Sequence, residues 1–388
     1  MKAGKMTNMT LTFYAIAEPT PGQKWQARWQ RSWSAYEVWF TANGGDQGPS
    51  ATICRTQMQR YMPELLPVYE KLVALAGGSD RAARFLSTWC PPTYLGGCSL
   101  AAIADEKDVR LVRNYDLSPD LNEGFLLRSE WTGRAVMGMV EFLWGLSDGI
   151  NDAGLSVALA YGGRSETALG FGITTILRYV LETCDTVDEA LHALGRVPSH
   201  MAYNVVLADA SGKTASVELA PGGGMTIMPC AIATNHQSGP ESADHPAFTR
   251  SVERLAHLSH MRAMPSDLNI EFLKPPLLQD RYAEGFGTLF TAEYDPKAGT
   301  VGLTMNKQRW VQSLEDFEES QRIIDYSAVA SAANRTEVVD WSLAAQIDWN
   351  VVARDYANGQ GREIHTYLAI TTDRAGVSDG QSVSPWVC

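Results

Sequence analysis

The stretch Pro91-Pro92-Thr93-Tyr94-Leu95-Gly96-Gly97 divides this chain into two textures. Its prolines remove backbone donors and fix φ, and its glycines leave the backbone uncovered, so no helix can cross it. Before it, apolar residues recur at three-to-four spacing in Trp25 to Ala42 and Met62 to Ala76, which predicts helices. Pro63 stands at a tolerated first-turn position, Gly77-Gly78 ends the second helix, and Ser79 or Asp80 can cap a third over Arg81 to Thr88. After it, alternation takes over. Ser99 to Ala104 and Val109 to Tyr115 read as strands around a turn at Asp105 to Asp108, a hairpin that opens on Cys98.

Further strands are expected at Ala135 to Phe142 and, after a turn at Asn151 to Gly154, at Leu155 to Ala160. Helices follow at Ile173 to Thr183 and Val187 to Leu194, the latter opened by Asp185 or Thr186 with Asp188 and Glu189 in its first turn. Strands return at Tyr203 to Ala208, Thr214 to Leu219, Met225 to Pro229 and Ala231 to Thr234, and Thr249 to His260 reads as a helix. Two more strands fit Thr288 to Thr304, and Trp310 to Phe317 closes the core. Helices set between two blocks of antiparallel strands imply an α+β layered sandwich. Beyond about Tyr326 the texture turns polar; Val338 to Ala357 suits a helix or two, and Ala375 to Pro385 reads as mobile.

Charge narrows the partners. The 388 residues carry 32 basic against 44 acidic side chains, net -12, with no Lys/Arg-rich run to neutralise a phosphate backbone or an anionic leaflet, so neither nucleic acid nor membrane is expected. Met1 to Phe13 lacks a secretory apolar core and no segment approaches the roughly 18 apolar residues of a membrane span, which points to a cytoplasmic protein. The six cysteines are too sparse for a disulfide scaffold and lack zinc-knuckle spacing; buried reduced thiols are expected. His257 and His260 have no third ligand nearby, and the tryptophans in Trp25 to Trp39, with Trp131 and Trp144, suit a core or an apolar acyl pocket.

A cysteine behind a Gly-Gly pair, opening a strand, is either a small buried residue or a nucleophile. Its company decides. Arg113 and Asp116 lie across the hairpin in Arg113-Asn114-Tyr115-Asp116, Asn151-Asp152-Ala153-Gly154-Leu155 turns into another strand, and Thr234-Asn235-His236-Gln237 ends a third, followed by Ser251-Val252-Glu253-Arg254. In order and spacing these stretches, over about 98 to 322, resemble the N-terminal-nucleophile hydrolases, in the branch of the acyl-coenzyme A:6-aminopenicillanate acyltransferases (the C45 peptidase family) and, more distantly, conjugated bile acid hydrolases and penicillin V acylases.

The resemblance implies a four-layer αββα sandwich of antiparallel sheets and a precursor that cuts itself between Gly97 and Cys98. Residues 1-97 would then be a mainly helical propeptide or small subunit, 98-326 the catalytic core, and 327-388 an extension without a counterpart. The freed α-amine, with a pKa near ~8, would relay the proton of a thiol near ~8.5. Cys98 would attack the carbonyl of a small-molecule amide or acyl thioester. Asp116 would orient the amine, Arg113 would steady the thiolate, and Asn235 and the backbone at Asn151-Asp152 would hold the oxyanion. Arg254, or Arg250 in its place, would brace the site. No metal and no cofactor is implied. Two subunits from one precursor are expected, with a homo-oligomer possible, and Asp152 departs from the glutamate common in relatives. Two other readings stay open: a catalytically silent relative that binds or supports, and an uncut cysteine hydrolase using His236 as base.

Overall fold

The computed structural model describes residues 10–93, 97–238, 249–282, 286–326 and 351. The expectations for Val338 to Ala357 and Ala375 to Pro385 therefore fall outside the described residues, apart from Val351. In chain order the elements are β1 (Thr10–Ala17), α1 (Gln23–Ala42), α2 (Ala51–Tyr61), α3 (Leu66–Leu75), α4 (Asp80–Ser87), β2 (Gly97–Ala104) and β3 (Val109–Leu117). Then come β4 (Phe125–Ser129), β5 (Val136–Glu141), β6 (Gly145–Asn151), β7 (Ser156–Tyr161), α5 (Ile173–Thr183) and α6 (Val187–Arg196). They are followed by β8 (Tyr203–Ala208), β9 (Thr214–Leu219), β10 (Met225–Ile227), β11 (Ile232–Ala233), α7 (Ser251–His260) and α8 (Leu268–Phe272). The last are β12 (Asp280–Arg281), β13 (Phe286–Asp295), β14 (Thr300–Met305), β15 (Gln308–Ser313) and β16 (Ser320–Asp325).

Two sheets result, one in the order β10-β9-β8-β7-β6-β5-β4-β1-β16 and one in the order β11-β2-β3-β13-β14-β15, with β12 also on β13. Alternation sorts side chains between layers. Leu111 and Tyr115 of β3 join Met137, Ile150, Val206 and Phe290 between the sheets. Val112, on the opposite face, meets Leu258 of α7 and Leu268 and Phe272 of α8. On the far side of the larger sheet, Leu127, Leu146 and Val157 pack against Ile176, Leu177 and Val180 of α5 and the tryptophans of α1. The layers are α, β, β, α, and the fold is α+β.

Three differences from the sequence expectations have physical causes. The N-terminal segment is helical in α1 to α4 but also supplies β1, which lies between β4 and β16; its parallel pairing with β4, Tyr14 opposite Phe125, makes the larger sheet mixed rather than wholly antiparallel. Parallel neighbours need a long crossover, so nothing local announces them. Strand β6 went unread because Gly-Leu-Ser-Asp-Gly-Ile-Asn has few β-formers. Its Gly149 is there for close approach, since a Cβ would stand 2.7 Å from Leu181 Cδ1 of α5 and 2.8 Å from the Met137 carbonyl. Caps fall where expected: Ser79 accepts from Ala82 N–H and Thr186 from Glu189 N–H.

Candidate active site

Strand β2 begins with Gly97 opposite Asp116 and Cys98 opposite Tyr115. No side chain fits at position 97: a Cβ would stand 2.2 Å from Phe286 Cε2 and 2.9 Å from the Asp116 carbonyl. Because residues alternate, the Cys98 side chain enters the space between the sheets while its neighbours face α7 and α8. Each face brings one buried arginine to it.

From the inter-sheet side, Arg113 Nη2 donates to Cys98 Sγ at 3.1 Å, and Nη1 donates to Asp148 Oδ2 at 2.7 Å and Ser147 Oγ at 2.8 Å. The guanidinium lies over the Tyr115 ring at 4.6 Å, and the Tyr294 hydroxyl donates to Asp148 Oδ1 at 2.8 Å. Burial pushes the Cys98 thiol up to about 11; Arg113 pulls against this, and Asp116 adds to it. Burial works against the Arg113 charge, yet Cys98, Asp148 and Glu141 hold its pKa above the ordinary value.

From the other side, Arg254 on α7 donates through Nη1 to the Cys98 carbonyl and, at 2.8 Å, to Ser99 Oγ, through Nη2 to Asn235 Oδ1 at 2.7 Å, and through Nε to the Thr249 carbonyl at 2.8 Å. Asn235 follows β11; its Oδ1 also accepts the Cys98 N–H at 2.9 Å, and its Nδ2 donates to the Tyr161 carbonyl at 3.3 Å. Asp116 Oδ1 accepts from Thr288 at 2.6 Å, and Oδ2 stands 3.8 Å from Arg254 Nη1, buried without a hydrogen-bond partner. Burial raises the Asp116 carboxyl, with Arg254 and Thr288 opposing.

Of the residues singled out in the sequence, Cys98, Arg113, Asp116, Asn235 and Arg254 thus come together. Arg250 does not; it is exposed and pairs with Glu253. Asn151 does not either. Its Nδ2 donates to the carbonyls of Leu181 (2.9 Å) and Cys184 (2.8 Å) at the end of α5, and its Oδ1 accepts from Leu155 N–H at 2.9 Å. The expected oxyanion donors there are spent: Asn151 N–H bonds the Leu155 carbonyl and Asp152 N–H the Ala135 carbonyl, both at 3.0 Å. The Asn-Asp-Ala-Gly signature is a turn former, and here it closes a turn and a helix end. His236 Nδ1 contacts Ser251 Oγ at 2.7 Å and Thr234 Oγ1 at 3.2 Å, while Ser251 Oγ accepts the Asn235 N–H, so the histidine supports the asparagine's loop.

Sequence reasoning missed Asp148, Ser147, Tyr294 and Glu141, which reach Arg113 or its surroundings from β6, β13 and β5. Trp25, Trp39 and Trp144 are fully buried in the core packed on the larger sheet. Among the described residues no group of three or more His, Cys, Asp or Glu could hold a metal ion, and no helix is long and apolar enough to cross a membrane. Cys54, Cys90, Cys98 and Cys184 are free and buried, and Cys230 is free and exposed.

The chain is similar in structure to penicillin V acylase from Agrobacterium tumefaciens, at 18% identity over 55% of this chain and 84% of that one with a TM-score of 0.40. It is similar to a conjugated bile acid hydrolase variant from Clostridium perfringens, at 13% identity over 62% of this chain and 100% of that one, TM-score 0.38. A Caenorhabditis elegans ortholog of N-acylethanolamine-hydrolyzing acid amidase matches at 16% identity over 58% of this chain and 99% of that one, TM-score 0.39. No curated protein sequence matches the chain. The family of acyl-coenzyme A:6-aminopenicillanic acid acyl-transferase matches residues 103–310, a span that holds Arg113, Asp116, Asn235 and Arg254. With more than half of its length matched, the chain belongs to this acyl-transferase family of the N-terminal-nucleophile hydrolases.

Proposed function

We propose that this chain cuts its own backbone between Gly97 and Cys98 and then works as an amide hydrolase or acyltransferase on a small amide or acyl thioester, with Cys98 as N-terminal nucleophile. One observation carries the reading: the backbone nitrogen and the sulfur of Cys98 are each held by a buried side chain, Asn235 and Arg113.

In the cut, Sγ attacks the Gly97 carbonyl carbon, the thiol proton passes to the departing Cys98 nitrogen, and water hydrolyses the thioester to leave a Gly97 carboxylate. The uncut chain holds its thiol near 11, protonated at neutral pH, so a base is needed. The new α-amine supplies one, with a pKa near ~8. It takes the Sγ proton as sulfur attacks the substrate carbonyl and returns it to the leaving group. Water or an amine then takes the acyl group from sulfur. Asp116, through Oδ2, receives the α-ammonium, Arg113 steadies the thiolate, and Asn235 Nδ2 donates to the oxyanion.

Intact mass of the purified protein tests the reading. Two fragments meeting at Gly97 and Cys98 support it. One uncut chain, inert toward iodoacetamide at Cys98, makes the protein a silent binding or structural relative. An uncut chain that turns over substrate rejects the N-terminal mechanism.

A further inference from the structure

Strand β13 carries one residue more than its neighbour can pair. Gly287 lies opposite Leu117 and Thr288 opposite Asp116, but Tyr115 is met by Phe290, so Leu289 has no partner on β3. Such a bulge breaks the alternation of faces. In a regular strand Thr288 and Phe290 would point the same way, into the space between the sheets. Here the consecutive residues Leu289 and Phe290 both pack there, and Thr288 turns to the opposite face with Asp116. Every polar group of Thr288 is committed. Its N–H donates to the Gln279 carbonyl at 2.9 Å, its hydroxyl oxygen accepts the Gln279 N–H at 2.8 Å, and its carbonyl accepts the Tyr282 hydroxyl at 2.7 Å. The Tyr282 ring covers Gly287, where a Cβ would stand 2.2 Å from Cδ1. Held in this way, the hydroxyl gives its proton to Asp116 Oδ1 at 2.6 Å.

We propose that Thr288 is a positioning residue for Asp116: its hydroxyl, aimed by the bulge, holds Oδ1 and leaves Oδ2, 3.8 Å from Arg254 Nη1, to receive the amine of Cys98. This rests on Cys98 as N-terminal nucleophile and adds the residue that fixes the carboxylate. A carboxyl group turns easily about its terminal bond. With Oδ1 bonded the turn is blocked, and the buried oxygen that has no hydrogen bond keeps its place. The same bond favours the charged form. Burial raises the Asp116 carboxyl, while Arg254 of α7, the Thr288 hydroxyl, Arg113 of β3 and Arg281 of β12 lower it; the titratable Cys98 of β2 and Tyr282 also face it. Loss of the hydroxyl therefore frees the carboxyl to turn and makes it harder to ionise.

The test is the titration of the Asp116 carboxyl in the full chain, followed by carbon NMR on protein labelled at its aspartate carboxyls, with the signal assigned by its loss in Asp116→Asn. Thr288→Val keeps the shape and removes the donor, and is expected to move the midpoint up by about one pH unit. Thr288→Ser keeps the donor and is expected to leave it in place. An unmoved midpoint in Thr288→Val, or an equal rise in Thr288→Ser, overturns the proposal. Should Thr288→Val fail to fold, Thr288→Cys, whose thiol donates weakly, is expected to raise the midpoint by less, and no rise there overturns it as well. The ammonium at Oδ2 adds a second prediction: the midpoint lies lower in cut protein than in the uncut Cys98→Ala chain, and equal midpoints reject Oδ2 as its seat. Cutting is scored separately by intact mass, so an uncut wild-type chain counts against the processing reading and an unmoved midpoint against this one.

Discussion

The two faces of β2 treat Cys98 differently. On the inter-sheet face, Arg113 grips the side chain, with Asp148, Ser147 and Tyr294 behind it. On the face toward α7, Arg254 grips the main chain, bonding the Cys98 carbonyl and the amide oxygen that accepts the Cys98 N–H, and Asp116 keeps one buried oxygen without a hydrogen bond. One face holds the sulfur; the other fixes the peptide unit that carries it.

The contrast breaks most visibly at Arg254. Arg254→Ala strands Asp116, the Cys98 carbonyl and Asn235 Oδ1, and losing one partner of a buried pair costs about 3–5 kcal/mol. The expected result is a large fall in melting temperature and an uncut chain by intact mass; cutting at the native rate would erase the division between the faces. Asn235→Ala is expected to lower kcat by about 10²–10³-fold with KM little changed, read by steady-state kinetics on processed protein. An equal loss in kcat and gain in KM would make Asn235 a substrate binder instead. Arg113→Lys keeps the charge but loses the fork that bonds Sγ and Asp148 together; the alkylation midpoint of Cys98 should rise, by about one unit, while cutting persists.

Smaller effects sharpen the picture. Glu141 has a folded-state pKa of about 7, above its ordinary value, so folding binds a proton there and stability falls as pH climbs from the usual carboxylate range to neutrality. Glu141→Gln is expected to narrow the difference in melting temperature between pH 5 and pH 7.5. Asn151→Ala should cost about 1–3 kcal/mol of stability, from the α5 carbonyls it leaves unbonded, with an unchanged pH profile of activity.

How much of this was legible follows from distance along the chain and strand parity. Cys98, Arg113 and Asp116 sit on two hairpin-paired strands, so their spacing placed them side by side, and Asn235 stood out at a strand end, whereas Arg254, on a predicted helix beside Glu253, was singled out only by the family resemblance. Asp148 and Tyr294 were hidden because they come from β6 in the opposite sheet and from β13, and a glycine-rich strand lacks the β-branched residues that betray one. Asn151 admitted two readings, oxyanion site and turn former, and its contacts are those of the second: a local signature had a local use, closing a turn and a helix end. Strand β1 was unreadable because its neighbours in the sheet come from more than a hundred residues away.

That strand has a practical corollary. A heavy fragment expressed from Cys98 onward would lack the partner that fills the gap between β4 and β16. β4 would become a raw edge with an unpaired N–H and C=O row, and β16, already at the end of the sheet, would lose its one neighbour; such rows recruit strands from other molecules. Recombinant protein begun at Cys98 should therefore clump, and should stay dispersed when the missing piece is co-expressed in trans.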